Sequence, residues 1–208
     1  SSDLSLKRKG TFQEFAKVLG EYFEMKHAEP VPVSELDRRC NEVFYLPMHA
    51  VRKEDSSTSK LRIVFDASAK STSGTSLNDH LLVGPTVHAS LVDVLIRFRQ
   101  HQVAVTADIS RMYRAVLIPE TQRDLHRFVW RANQEDIKDY RMTRLTFGVS
   151  ASSFAANMAL RQNAIEHKES HPLAYQVTLE DFYVDDCLTG RDSVKDVVKL
   201  VDELQELS

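Results

Sequence analysis

The chain has 208 residues, 42% of them hydrophobic, with two cysteines and a formal charge of −3. That length allows one large domain or two small ones with a real core, and no apolar run approaches membrane-spanning length. Cys40 and Cys187 cannot make a structural zinc site alone, and with no secretory signal they point to a reducing, intracellular compartment. In chain order, residues 1–10 are polar and read as a loose lead-in. Thr11 to Lys26 reads as an amphipathic helix, with Thr11 and Glu14 at capping-box spacing and Phe12, Phe15, Ala16, Leu19 and Phe23 on one stripe. Pro30 and Pro32 end it. Strand-like segments follow at Val43–Leu46, His49–Arg52 and Leu61–Phe65, then a Ser/Thr-rich loop from Ser68 to Gly74. A helix over Ala89–Arg99 is predicted to turn Leu91, Val94, Leu95 and Phe98 inward. Leu125–Ala132 and Tyr140–Leu145 read as partner strands around a polar turn, and Ser152–His167 as a helix. A last helix, Ser193–Leu207, carries Val194, Val197, Val198, Val201 and Leu204 on its predicted core face.

Between those helices lies the unusual segment. Val177 to Leu188 reads as two short buried strands, yet Asp185 and Asp186 sit side by side within it. Buried strands rarely carry ionised side chains, and two adjacent carboxylates repel and lose hydration. A divalent cation would compensate; an acidic turn is the alternative. Upstream, Val103 and Val105 begin a strand that Asp108 closes, with Tyr113 five residues on. Carboxylates on separate elements suit the oxygen-loving cations of two-metal phosphoryl transfer. The charge distribution points the same way. Residues 97–144 hold ten Lys/Arg against six Asp/Glu, and residues 176–208 hold three against nine. A basic middle beside an acidic end suits a protein that holds a phosphate backbone and metals together. No P-loop, no Gly-x-Ser-x-Gly elbow and no zinc-like His/Cys spacing is present.

Four segments in order resemble the motifs of reverse transcriptases, most closely those of Pao/BEL-type LTR retrotransposons. Leu61-Arg62-Ile63-Val64-Phe65-Asp66-Ala67-Ser68 is similar to the fingers strand, and Val105 to Tyr113 to the motif with the first metal-binding Asp. Leu145-Thr146-Phe147-Gly148-Val149-Ser150-Ala151-Ser152-Ser153-Phe154 resembles the Gly-containing motif that meets template and nucleotide. Tyr183-Val184-Asp185-Asp186 resembles the Tyr-x-Asp-Asp box. Together they cover most of residues 45–190. Phe147 stands where retroviral enzymes carry Gln, and Ser153 where a Pro is common; neither change touches metal chemistry.

The resemblance implies an α+β fold: a right-hand polymerase palm, an antiparallel sheet with helices on one face, plus fingers, the thumb being absent. Residues 1–30 would be a helical extension, fingers would span about 31–101 and 118–145, and palm about 102–117 and 146–208. The implied function is an RNA-dependent DNA polymerase core of a retrotransposon polyprotein, in a cytoplasmic particle or nucleus. Asp108, Asp185 and Asp186 would be catalytic and hold two Mg²⁺ ions, with Mn²⁺ as a substitute. Arg62 and Lys53 would meet the triphosphate of the deoxynucleotide, and Tyr113, Phe147 and Gly148 would complete the nucleotide site. For Lys53 a solvated basic loop, and for Tyr113 an aromatic core residue, are the alternatives. The partners would be an RNA or DNA template with its primer, deoxynucleoside triphosphates, and the thumb and RNase H portions of a polyprotein. Without them the chain is expected to bind template–primer weakly. A catalytically silent nucleic-acid-binding remnant and a protein-interaction module are the alternative functions.

Overall fold

The computed structural model describes residues 11–39, 42–52, 61–131 and 136–207. Lys53, residues 1–10 and residues 133–135 of the predicted polar turn lie outside the described residues. The chain divides into two compact units, one comprising residues up to Val83 with Tyr113–Ser152, the other Gly84–Met112 with Ser153 onward. The expected division set residues 1–30 apart and put residues 84–101 with the fingers. Here residues 84–101 share a unit with the Asp185–Asp186 hairpin.

The first unit is built around helix α1 (Phe12–Glu24) and two antiparallel sheets. One sheet pairs β2 (Met48–Arg52) with β3 (Leu61–Phe65); the other has the order β1 (Ala28–Pro30), β6 (Lys138–Met142), β5 (Arg127–Trp130). Phe15 and Leu19 of α1 are fully buried and share one core with Ile63, Phe65, Phe128 and Met142. Phe12 and Phe15 lie against Trp130, with ring centroids 5.4 and 5.3 Å away. The predicted stripe is therefore the packing face of α1. The Thr11 side chain makes no capping hydrogen bond. A true capping box forms elsewhere, at the short helix α2 (Leu77–His80), where Ser76 Oγ accepts from Asp79 N and Asp79 Oδ2 accepts from Ser76 N. Val43–Leu46 is no strand; Tyr45 alone bridges to Arg127. Conversely, Pro30 lies inside β1, which is tolerable because β1 is an edge strand.

The second unit is a three-stranded antiparallel sheet in the order β4 (Val103–Asp108), β8 (Asp186–Arg191), β7 (Phe182–Tyr183). Helices α3 (Leu91–Phe98), α6 (Pro172–Glu180) and α7 (Val194–Leu207) pack against it, and α5 spans Ser152–Glu166. The predicted strand over Val177 to Glu180 is instead the end of α6, whose Pro172 sits in the first turn, where its missing N–H costs nothing. Phe182 and Cys187 of the sheet share a buried core with Val177 of α6 and Leu200 of α7. On α7 the buried positions are Leu200 and Leu207, while Val194 and Val198 are exposed. On α3 only Val94 is buried, and Leu91 and Leu95, predicted inward, are exposed. Among the described residues no helix is long and apolar enough to cross a membrane.

Candidate active site

Two of the three predicted acids, Asp108 and Asp186, face each other on the second unit's sheet, and Asp185 lies in the adjoining turn. Asp108 ends β4 and Asp186 begins β8, and the two are direct cross-strand partners. Opposed residues of an antiparallel pair stand about 5 Å apart with side chains on the same face. Tyr183 of β7 is the next partner of Asp186, so Tyr183, Asp186 and Asp108 form one row across three strands. Alternation fixes which face this is. Cys187 and Thr189 point to the core, so Asp186 and Leu188 take the opposite, open side, where with their partners Asp108 and Thr106 they line a recess.

Asp185 occupies the two-residue turn of the β7–β8 hairpin. Val184, the first turn residue, has φ 60° and Asp185 does not share the positive sign, the sign pattern of a type II′ turn. A β-branched residue there is strained by about 1–3 kcal/mol, which the surrounding structure must overcome. Two anchors do so. At the tip, Ile109 N donates to Asp185 O at 3.0 Å; at the base, Leu188 N donates to Asp181 O at 3.0 Å. The Asp181 carboxylate, 6% exposed, accepts from Arg97 Nε at 3.0 Å and Thr189 Oγ1 at 2.7 Å. That acid is structural. Cys187 is no nucleophile, because burial, assisted by the nearby Asp181 carboxylate, pushes its thiol up to about 12.

Three carboxylates on adjoining positions of one sheet end are the right donor type for a hard divalent cation. Among the described residues, no three or more His, Cys, Asp or Glu are gathered tightly enough to enclose a metal ion as they stand. The fit therefore rests on the Asp108–Asp186 pairing and on Asp185 being tied to Ile109.

The remaining predicted residues belong to the first unit. Arg62 is exposed on β3, while its neighbours Leu61 and Ile63 are buried. Tyr113 is the second residue of the one-turn helix α4 (Met112–Ala115), and its ring lies 4.7 Å from that of Phe147. Both rings are half-buried. Gly148 has φ 101°, and a Cβ there would lie 1.8 Å from Phe65 O, so no other residue fits without moving the backbone. Phe65 N donates to Phe147 O at 3.1 Å, tying this loop to the end of β3.

Sequence reasoning missed Asn78. Its Nδ2 donates to Gly148 O at 3.1 Å and Ser68 Oγ at 2.9 Å, and its Oδ1 accepts from Ser150 N at 2.9 Å. The helix start around it was legible from Ser76 and Asp79; the long-range clamp was not. Nor was the fate of the basic stretch. Arg127 is 0% exposed and Arg141 8%. Both bond Asp124 Oδ1, at 2.9 and 3.1 Å, while Arg38 Nη1 lies 2.8 Å from Oδ2 without hydrogen-bond alignment. Burial alone would raise the Asp124 carboxyl, but the Arg127 and Arg141 hydrogen bonds outweigh it and hold it below the usual carboxylate range. Arg97, Arg114 and Arg123 are likewise engaged within the fold. The cations of residues 97–144 are thus largely architectural.

No protein-family model and no curated protein matches the sequence. Two solved structures of foamy viral protease–reverse transcriptase do match the fold. The complex with double-stranded DNA gives a TM-score of 0.68 at 16% identity, covering 93% of this chain and 28% of the other. The complex with an RNA/DNA hybrid gives 0.66 at 16% identity, covering 94% and 22%. This chain thus spans about a quarter of the length of those it matches, and over nearly all of its own length its fold is similar to that of a reverse transcriptase.

Proposed function

We propose that the chain is the fingers-and-palm core of an RNA-dependent DNA polymerase of the Pao/BEL retrotransposon type, the first unit carrying most of the fingers and the second most of the palm. The observation that carries this reading is the Asp108–Asp186 pair on the open sheet face, with Asp185 bonded to Ile109 beside it. The matched structures hold double-stranded DNA and an RNA/DNA hybrid, which makes a template–primer the partner to test.

In the proposed reaction the primer 3′-oxygen bonds to the α-phosphorus of a deoxynucleoside triphosphate. The hydroxyl proton passes to solvent water, and the bond to the bridging oxygen breaks to release pyrophosphate. Asp108, Asp185 and Asp186 would hold two Mg²⁺ ions, whose chemistry is to acidify the primer hydroxyl and neutralise the leaving pyrophosphate. Arg62, exposed on β3, offers a planar fork suited to triphosphate oxygens, with Lys53 as a second cation. The bare backbone at Gly148 lets the base pair approach. Tyr113 sits beneath the sugar and rejects a 2′-hydroxyl by bulk.

The test is primer extension on an RNA template, in Mg²⁺ and in Mn²⁺, beside Asp185→Asn. The expected result is metal-dependent extension that the variant loses. Extension that survives Asp185→Asn, or no extension by the natural polypeptide carrying this sequence, would sink the reading.

A further inference from the structure

The first unit buries a guanidinium directly behind the Tyr113–Phe147 pair. Arg114 is only 6% exposed. Its Cζ lies 4.6 Å from the ring centroid of Tyr22 and 6.0 Å from that of Phe147. Nη2 donates to Tyr22 Oη at 3.1 Å, and Nη1 donates to the Leu145 carbonyl. Among the described residues no carboxylate pairs with it. Its charge is answered by one carbonyl, one phenol and two ring faces.

That environment is costly for a cation, and a Leu or Met would fill the volume without the desolvation penalty. What an arginine adds is geometry. Its plane stacks on rings while its edge donates in fixed directions, which neither an apolar chain nor a lysine does at once. The atoms it fixes are telling. Leu145 lies two residues before Phe147, and Tyr113 directly precedes Arg114. The same two stretches are also joined through the backbone, since Leu145 N donates to Val116 O at 3.1 Å and Val116 N to Tyr113 O at 3.4 Å. One side chain thereby ties the Leu145–Phe147 stretch to the helical turn that carries Tyr113, with its guanidinium over the Phe147 ring.

We infer that Arg114, braced by Tyr22 of α1, is a positioning residue that holds Phe147 against Tyr113 and so determines how strictly ribonucleotides are refused. The inference rests on the polymerase reading, in which Tyr113 meets the sugar. A steric gate discriminates only as far as its ring cannot move aside, so the support behind the ring is part of the specificity.

The experiment measures single-nucleotide insertion on a primed RNA template by the natural polypeptide carrying this sequence. The readout is the ratio of kcat/KM for a deoxynucleotide to that for the matching ribonucleotide. Arg114→Met is expected to lower the ratio about tenfold, the scale of discrimination by a single packed group. Arg114→Lys, which keeps the charge but not the plane, should fail to restore it. Tyr22→Phe removes one hydroxyl and keeps the ring, and should lower the ratio by a smaller factor. In a Tyr113→Ala background, Arg114→Met should leave the ratio unchanged, because the gate it supports is gone.

A merely structural arginine would lower kcat for both nucleotides alike and leave the ratio alone; that result in Arg114→Met overturns the inference. Should Arg114→Met fail to fold, Tyr22→Phe decides, and an unaltered ratio there overturns it equally. Failure of the unsubstituted protein to insert either nucleotide is a different outcome. It removes the polymerase reading itself, and this inference with it.

Discussion

In the first unit Asp124 is 2% exposed and faces Arg38, Arg127 and Arg141, whereas in the second Asp108 and Asp186 oppose each other on the open side of a sheet. Both arrangements concentrate charge, the first inside a core and the second on an exposed sheet face. Asp124 has arginine at both carboxylate oxygens, and its network pins the segment Glu35–Leu36, whose carbonyls accept from Arg127, to the β5–β6 hairpin. The Asp108–Asp186 row sets two carboxylates directly opposite each other on an exposed face, where like charges repel.

The largest test of that contrast is Asp186→Asn. Primer extension should fall on the order of a thousandfold, the scale seen when an electrostatic group of an active site is lost. The thermal midpoint should hold or rise, because a like-charge contact with Asp108 disappears. A lowered midpoint would make Asp186 structural and break the comparison. Asp124→Ala should do the reverse. Leaving Arg127 and Arg141 buried without their carboxylate should cost about 3 kcal/mol in urea unfolding. A cost within error would mean that the network is not holding the first unit together.

A third test uses pH. His126 is 7% exposed, its Nδ1 has no hydrogen-bond partner among the described residues, and burial pushes the imidazole down to about 4 from its usual 6.5. The unfolded chain therefore binds a proton that the folded one refuses between those values. Stability should be complete above pH 6.5 and decline as pH falls toward 4, by up to about 3 kcal/mol. His126→Phe should flatten that decline; an unchanged slope would assign it to other groups. The smallest effect concerns the acid hairpin. Val184→Gly relieves a positive φ but adds freedom to the unfolded chain, so urea unfolding should show a gain of no more than about 1 kcal/mol. A net loss would mean that the Val184 side chain contributes packing that outweighs its strain.

Much of this was legible in the sequence, and the failures have physical causes. The α1 stripe and the strands around Asp108 were readable because amphipathic periodicity survives folding. The placement of Asp108 and Asp186 at strand ends was readable because each interrupts an apolar run. Val177–Glu180 was misread because a short apolar run fits a strand and a buried helix end equally. β1 was missed because Pro30 reads as a break, and only the sheet order reveals that it lies at an edge. Leu91 and Leu95 face outward although their spacing suits a core face, so periodicity identified the helix but not its partner. The burial of Arg114, Arg127 and Arg141 was invisible, since a count of cations carries no information on which of them meet carboxylates, carbonyls or rings. Asn78 was equally hidden, as its partners Ser68, Gly148 and Ser150 are up to 72 residues away.

The double fastening of the acid hairpin has a consequence for motion. Ile109 holds its tip and Asp181 its base, while Val103–Asp108 runs in continuous register with Asp186–Arg191. The carboxylates are therefore mounted on one plate rather than on an independent flap. Amide hydrogens along both strands should exchange with solvent as a single cooperative block. A cation bridging the acids would then slow exchange along the whole length of that block, out to Val103 and Arg191, instead of only at the turn it touches.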